Sequence, residues 1–226
     1  MTKTWEHYGK HDPYFGVLSS DEFRGAGEDG PARDKFFRTG VEAVEHFLSI
    51  ALKAFGPASR GRALDYGCGV GRLSRALSYS FNSVIGVDLS PDMIIEAQRN
   101  TADLSNMSFE LADSMGEDKV DFVISKIVFQ HIPPATGLQI LTRLAARLDT
   151  DGQGVIDMPI AYTGGAVRNM LRVLHERSAI GVPVIPMYVY DLQAACDALS
   201  AGGVTRIEIQ HIGVARFQKA IIAFGR

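Results

Sequence analysis

Residues 63–77 read ALDYGCGVGRLSRAL, and the order of residue types in this stretch decides what the chain can fold into. The apolar run ends on Asp65-Tyr66, and glycines follow at 67, 69 and 71. From Arg72 onward Leu73, Ala76 and Leu77 recur at helical spacing. That is a buried strand, a tight turn and a helix. Glycine serves where backbone takes positive φ or a ligand comes close, and this unit cradles nucleotides in open α/β sheets.

The glycine spacing narrows the ligand. A dinucleotide fingerprint is G-x-G-x-x-G, whereas Gly67, Gly69 and Gly71 form G-x-G-x-G and the later position holds Arg72. Asp65, two residues before the first glycine, would lie against a pyrophosphate unfavourably. An ammonium is its natural partner.

Beyond the turn, strand and helix patterns alternate. SVIGVDL (83–89) reads as a second strand. In SPDMIIEAQRN, Ser90 caps a helix and Pro91 takes its first turn. MSFELAD is a third strand, and KVDFVISKIVF a fourth whose unbroken apolar character suits burial on both faces. PATGLQILTRLAARLD is a helix closed by TDGQG, and GVIDM is a fifth strand. Such alternation predicts an α/β, doubly wound, mostly parallel sheet. Late in the chain VYDLQAACDALSAGG is a helix, and VTRIEIQHI and ARFQKAIIAFG are closing strands. Their short link implies an antiparallel pair at one sheet edge.

Upstream, residues 1–33 lack a sustained period and read as loop carrying short helices. In DKFFRTGVEAVEHFLSIALKAFG, Phe37, Val41, Val44, Leu48, Ala51, Leu52 and Phe55 form one apolar helical face that Gly56-Pro57 ends.

Bulk properties set further bounds. With 226 residues, 46% of them apolar, the chain can bury one sizeable core. A net charge of -3 lacks the basic excess of a nucleic-acid binder, and no apolar run is long enough for a membrane span. The start, MTKTWEHYGKHDPYF, lacks the apolar core of a signal peptide. Cys68 and Cys196 stand far apart without a CxxC partner, so a reducing cytoplasm and no metal framework are expected.

Two further acids fall at strand ends. Asp88, 17 residues beyond Gly71, stands where a carboxylate accepts from both ribose hydroxyls. Asp113 ends the third strand, where it could accept from an adenine amino group or simply start a turn. Leu89, Met93 and Met115 supply ring contact or fill core.

Taken in order, LDYGCGVGR, VIGVDLSPDMI, LADS and DFVISKIVFQHIP resemble class I S-adenosylmethionine-dependent methyltransferases over roughly residues 60–160. The resemblance implies a Rossmann-like, seven-stranded sheet with one antiparallel edge strand, and S-adenosylmethionine as cofactor. It implies that Asp65 and the turn from Gly67 through Cys68 and Gly69 to Gly71 hold the methionine end. Asp88 would hold the ribose, with Leu89 and Met93 beside the adenine. Asp113 would bond the adenine amino group, with Ser114 next to it. Backbone at Ser125 and Lys126 would face the amino-acid part.

Methyl transfer mainly needs positioning, with the nucleophile in line behind the C–S bond. An acceptor hydroxyl or amine can also need a base. His131, in FQHIPP, is the candidate; alternatively it hydrogen-bonds backbone at the loop start. His7 and His11 lie on a segment that, with Trp5, Tyr8, Tyr14 and Phe15, reads as a lid or as a packed anchor. His46, His175 and His211 sit in helix or strand patterns with structural or solvent-facing roles. Arg38 either reaches the cofactor carboxylate or faces solvent.

One domain is expected over 1–226: lid and helix 1–58, cofactor core 59–158, a substrate-covering insertion 159–187 and a closing helix and strands 188–226. The insertion carries Arg168, Arg172, His175, Glu176 and Arg177. SKIVF replaces the Asn/Asp-Pro-Pro-aromatic motif of amino-methylating DNA enzymes, and neither cysteine has the Pro-Cys context of a cytosine C5 enzyme. Asp157 stands alone on the fifth strand, without the paired acids of a metal-dependent site. The expectation is methyl transfer to oxygen or nitrogen of a small-molecule acceptor, with no nucleic-acid or membrane partner. A nicotinamide-dependent oxidoreductase and a non-catalytic cofactor-binding module remain alternatives.

Overall fold

The computed structural model describes residues 2–27, 30–163, 184–214 and 217–226. Strands β1 (Arg62–Tyr66), β2 (Ser83–Asp88), β3 (Met107–Leu111), β4 (Val120–Ser125), β5 (Leu148–Tyr162), β6 (Arg206–Val214) and β7 (Phe217–Gly225) form one sheet. Their order is β3-β2-β1-β4-β5-β7-β6. The first five strands pair in parallel. β7 runs antiparallel to β5 and β6, so the antiparallel pairing falls at one edge, as expected. Chain order reverses between β1 and β4, and a crevice at the carboxyl ends of strands at such a switch point is where open α/β sheets bind ligands.

Alternate residues of the central strands go to opposite faces. Phe122 and Ile124 pack with Val44 and Phe47 of α3 (Pro31–Phe55) and Leu73 and Leu77 of α4 (Arg72–Ser78). Leu64, Val123 and Ile156 pack with Leu141 and Leu144 of α6 (Pro134–Arg147) and Leu199 of α7 (Leu192–Ala201). Cover on both faces is why β4 reads as unbroken apolar sequence. α5 (Pro91–Asn100) begins as anticipated: Ser90 Oγ accepts from Met93 N at 3.3 Å, and Pro91 occupies the first turn.

Four local expectations are corrected. The N-terminal segment is more regular than a loop: α1 (Thr2–His11) is a ten-residue helix, followed by α2 (Pro13–Val17). Tyr8, Tyr14 and Phe15 are buried with Phe36, Val70 and Met93 in a cluster outside the two sheet-facing cores. Their spacing answers to α5 and the glycine turn rather than to one face, so no clean period shows. Secondly, α3 buries Phe36, Gly40, Ala43, Val44, Phe47, Ile50 and Ala51, a face turned from the one expected. Val41 and Leu52 are 39% and 54% exposed. The contact is set by Gly40, where a Cβ would lie 2.3 Å from the Arg72 carbonyl oxygen; a hydropathy period gives glycine no weight. Thirdly, β4 stops at Ser125, and Phe129–His131 forms a 3-10 turn instead of more strand. Finally, TDGQG lies within β5 and does not form a closing loop.

Of the expected 159–187 insertion, residues 164–183 lie outside the described residues, and with them Arg168, Arg172, His175, Glu176 and Arg177.

Candidate functional site

A cavity of about 290 Å³ opens above the tips of β1, β2 and β4 and beside the turn after β3. Its floor includes Gly67 and Gly69, at φ +77 and +52. Side chains are excluded there twice over. A Cβ at Gly67 would come 2.3 Å from Val128 Cγ2, and one at Gly69 would come 2.5 Å from Val17 Cγ2. Val17 lies at the end of α2 and, with Gly16 and Trp5, forms the wall that the N-terminal helices supply.

Three strand-tip acids take different positions. Asp88, half-buried, lines the cavity; its Oδ2 accepts from Gly69 N and its Oδ1 from Ser90 N, both at 2.9 Å. Burial raises its pKa, and those N–H donors oppose the rise. Asp113 is exposed at the rim, in the turn Ala112–Ser114. Asp65 lies beneath the turn, 1% exposed and outside the cavity lining. Its Oδ2 accepts from Ser74 Oγ at 2.6 Å, while its Oδ1 is buried without a hydrogen-bond partner. Burial pushes its pKa up to about 6, against the bond from Ser74 and the nearby Arg72 guanidinium.

Leu89 and Met93 line the cavity as well; Met115 belongs to the sheet core. Cys68, Gly71, Ser114 and Ser125 do not reach its wall: Ser125 Oγ donates to Tyr66 O at 2.8 Å, and Ser114 Oγ to Leu111 O at 3.3 Å. Cys68 is buried, and Gly71 takes φ +84 as the cap of α4.

The tip of β4 holds a feature that residue patterns concealed. Ile127 has φ +65, an outlier for a β-branched residue that costs on the order of 1–3 kcal/mol. Its N–H donates to Asp157 Oδ1 at 2.7 Å, which holds the kink. The kink ends β4 and brings Lys126 into the cavity wall beside Val128. Asp157 is therefore a structural anchor here, and among the described residues no three His, Cys, Asp or Glu side chains gather as a metal site.

His131 lines the cavity under Trp5, ring centroids 5.0 Å apart. Its Nδ1 lies 2.7 Å from the Pro186 carbonyl and its Nε2 3.0 Å from Gln130 Nε2. A carbonyl only accepts, so Nδ1 carries the proton and Nε2 the lone pair. Burial lowers its pKa to about 4, more than the Pro186 bond raises it. The backbone bond expected as one alternative is present, and the ring also faces the cavity.

Among the wall residues that the sequence reading did not single out are Thr136, Gln139, Ile140 and Arg143 on α6. Their three- and four-residue spacing marks one helix face, but only the tertiary structure says that this face meets the cavity. Arg38, His11, His46 and His211 are exposed, and His7 packs against Tyr8 outside the cavity.

Residues 63–152 match a family described as a methyltransferase domain. Over that segment the chain is similar to the class I S-adenosylmethionine-dependent methyltransferases. It is 31% identical over 119 residues to a human tRNA (uracil-5-)-methyltransferase homolog A, covering 50% of this chain and 19% of that protein. It is 33% identical over 124 residues to a trans-aconitate 2-methyltransferase of Methylobacterium nodulans, covering 53% and 46%. The chain thus spans less than half the length of these two relatives. The fold matches magnesium protoporphyrin IX methyltransferase from Synechocystis PCC 6803 with bound S-adenosylhomocysteine. The TM-score is 0.62 at 24% identity, over 94% of this chain and 96% of that one.

The family's cofactor is S-adenosylmethionine, and the residues present suit it. The partnerless Asp65 Oδ1 beneath the turn is an acceptor of the kind an amino group, directly or through water, would satisfy. The Gly67–Gly69 floor admits close approach, and Leu89 and Met93 offer apolar surface beside Asp88.

Proposed function

We propose that this methyltransferase acts on an oxygen or nitrogen of a small-molecule acceptor. The observation that carries the reading is one cavity walled by Gly67, Gly69, Asp88 and Asp113, with Asp65 below it and His131 and Lys126 at its side. Asp88 would accept from the ribose hydroxyls and Asp113 from the adenine amino group. Leu89 and Met93 would contact the ring, the backbone at Ser125 and Lys126 would face the amino-acid part, and Asp65 would meet the amino end.

When bound, the cofactor supplies a methyl group already activated on a sulfonium. The chain's own work is orientation and exclusion of water. Trp5 and Val17 cover the site from the N-terminal helices. His131 is neutral at pH 7 with a conjugate acid near pH 4, a weak base, and its Nε2 lone pair already accepts from Gln130 Nε2, so it would meet an acceptor X–H only after that bond is released.

A small acceptor accords with a cavity of about 290 Å³ and with relatives named trans-aconitate 2-methyltransferase in two bacteria. A nucleic-acid acceptor would want a basic face, and the net charge is -3. C5 chemistry would want a reactive thiolate; burial pushes the Cys68 thiol well up, and Cys196 lies on α7 outside the cavity. Both cysteines are free, which suits a cytoplasmic setting. No helix among the described residues is long and apolar enough to cross a membrane.

The test is transfer of labelled methyl from S-adenosylmethionine across a panel of hydroxyl, amine and carboxylate acceptors, with an RNA arm. Turnover on a small acceptor supports the reading. Cofactor binding with no transfer to any acceptor would make the chain a binding module, and transfer to RNA alone would refute the acceptor class.

A further inference from the structure

Beside the cavity, on the α3 and α4 side of the sheet, charges gather out of balance. Asp157 on β5 is 3% exposed, and its Oδ2 lies 3.2 Å from Lys219 Nζ on β7 and 3.9 Å from Lys126 Nζ. Its other oxygen is taken by Ile127 N. Two lysines thus share one buried carboxylate, a surplus of one positive charge. Buried charge is costly unless paired. Lys126 Nζ has no hydrogen bond among the described residues beyond this long ion pair, and it stands over the Phe47 ring at 4.9 Å. It is also the member of the group that lines the cavity, beside Val128 and His131.

We propose that Lys126 at the cavity wall, backed by Lys219 across Asp157, forms a subsite for one carboxylate of the methyl acceptor. This rests on the methyltransferase reading above and adds the acceptor's charge class. A surplus of one charge matches a monoanion better than a phosphate dianion. The cofactor's own carboxylate is the other possible source of that chemistry, since Lys126 stands at the tip of β4 beside β1, but strand order sets Lys219 apart from it. Lys219 is on β7, three strands from β1, whose tip carries the glycine turn. At about 4.8 Å per strand that is about 14 Å, on the far side of β4 from the turn that would hold the methionine end.

The experiment uses the full chain saturated with S-adenosylhomocysteine. Acetate, butyrate and benzoate are each titrated against their amides at fixed ionic strength, with inorganic phosphate as a further arm. At least one carboxylate should bind with millimolar affinity and at least tenfold more tightly than its amide. Lys219→Met should weaken that binding tenfold or more, Lys219→Arg should restore it, and S-adenosylhomocysteine affinity should stay within threefold in both. Equal binding of acids and amides by the unaltered protein would overturn the proposal even if Lys219→Met does not fold. Tighter binding of phosphate than of any carboxylate would overturn it as well. So would a tenfold loss of S-adenosylhomocysteine affinity in Lys219→Met with carboxylate binding unchanged, which would give the pair to the cofactor. Absence of S-adenosylhomocysteine binding would refute the cofactor reading itself, and the acid–amide comparison on the free protein would still decide the subsite.

Discussion

Asp65 gives the sharpest link between the fold and the cofactor. Its carboxyl is buried with one oxygen bonded to Ser74 and one bare, and its pKa is pushed up to about 6 from an ordinary 3.8. A carboxylate whose folded pKa is raised contributes stability that is complete below the unfolded pKa and lost as pH rises through the folded one. Between pH 5 and pH 7 the loss amounts to about 1.3 kcal/mol, from the two pKa values and 1.36 kcal/mol per unit. Asp65→Asn removes that titration. Its unfolding free energy minus that of the unaltered protein should therefore be about 1.3 kcal/mol more favourable at pH 7 than at pH 5, read from urea unfolding. An amino group meeting Oδ1 would favour the ionised form. S-adenosylhomocysteine should accordingly bind the unaltered protein about tenfold more tightly at pH 7 than at pH 5 by calorimetry, and Asp65→Asn should lose that dependence. Cofactor affinity that is the same at both pH values in the unaltered protein would refute the placement of the amino end at Asp65.

Asp88→Ala should weaken S-adenosylhomocysteine binding by about 1–3 kcal/mol, and an unchanged dissociation constant would remove Asp88 from the ribose. His131, with a folded pKa near 4 against about 6.5 unfolded, contributes stability present above pH 6.5 and lost as pH falls toward 4. Between pH 7 and pH 5 the stability of the unaltered protein should therefore change by about 2 kcal/mol more unfavourably than that of His131→Gln, and kcat/KM should show no limb near pH 6.5 from this residue. Gly40→Ala, which drives a Cβ against the Arg72 carbonyl, should cost about 1–3 kcal/mol of stability; Gly213→Ala, with open space at its Cβ, should be nearly silent in the same unfolding assay.

The central fold was legible because its local patterns agree with its tertiary environment. Strand–glycine turn–helix at 63–77, the Ser90-Pro91 helix start and the doubly buried β4 each carry their own signal. Legibility failed where a long-range contact overrides a local pattern. The buried face of α3 turns on Gly40 meeting α4, and the end of β4 turns on Asp157 reaching across to Ile127. Site residues followed the same division. Asp88 and the glycines are marked by their place at strand tips, whereas the α6 wall of Thr136, Gln139, Ile140 and Arg143 is defined by what it faces. Asp65 was legible as an unusual acid, but its position beneath the turn depends on Ser74.

The most direct test of the account is calorimetric titration of the purified chain with S-adenosylhomocysteine and, separately, with NAD. Acids at neighbouring strand tips and a G-x-G-x-G bend predict micromolar or tighter binding of the first and no detectable heat from the second. Binding of NAD in preference, or of neither at millimolar concentration, would contradict it.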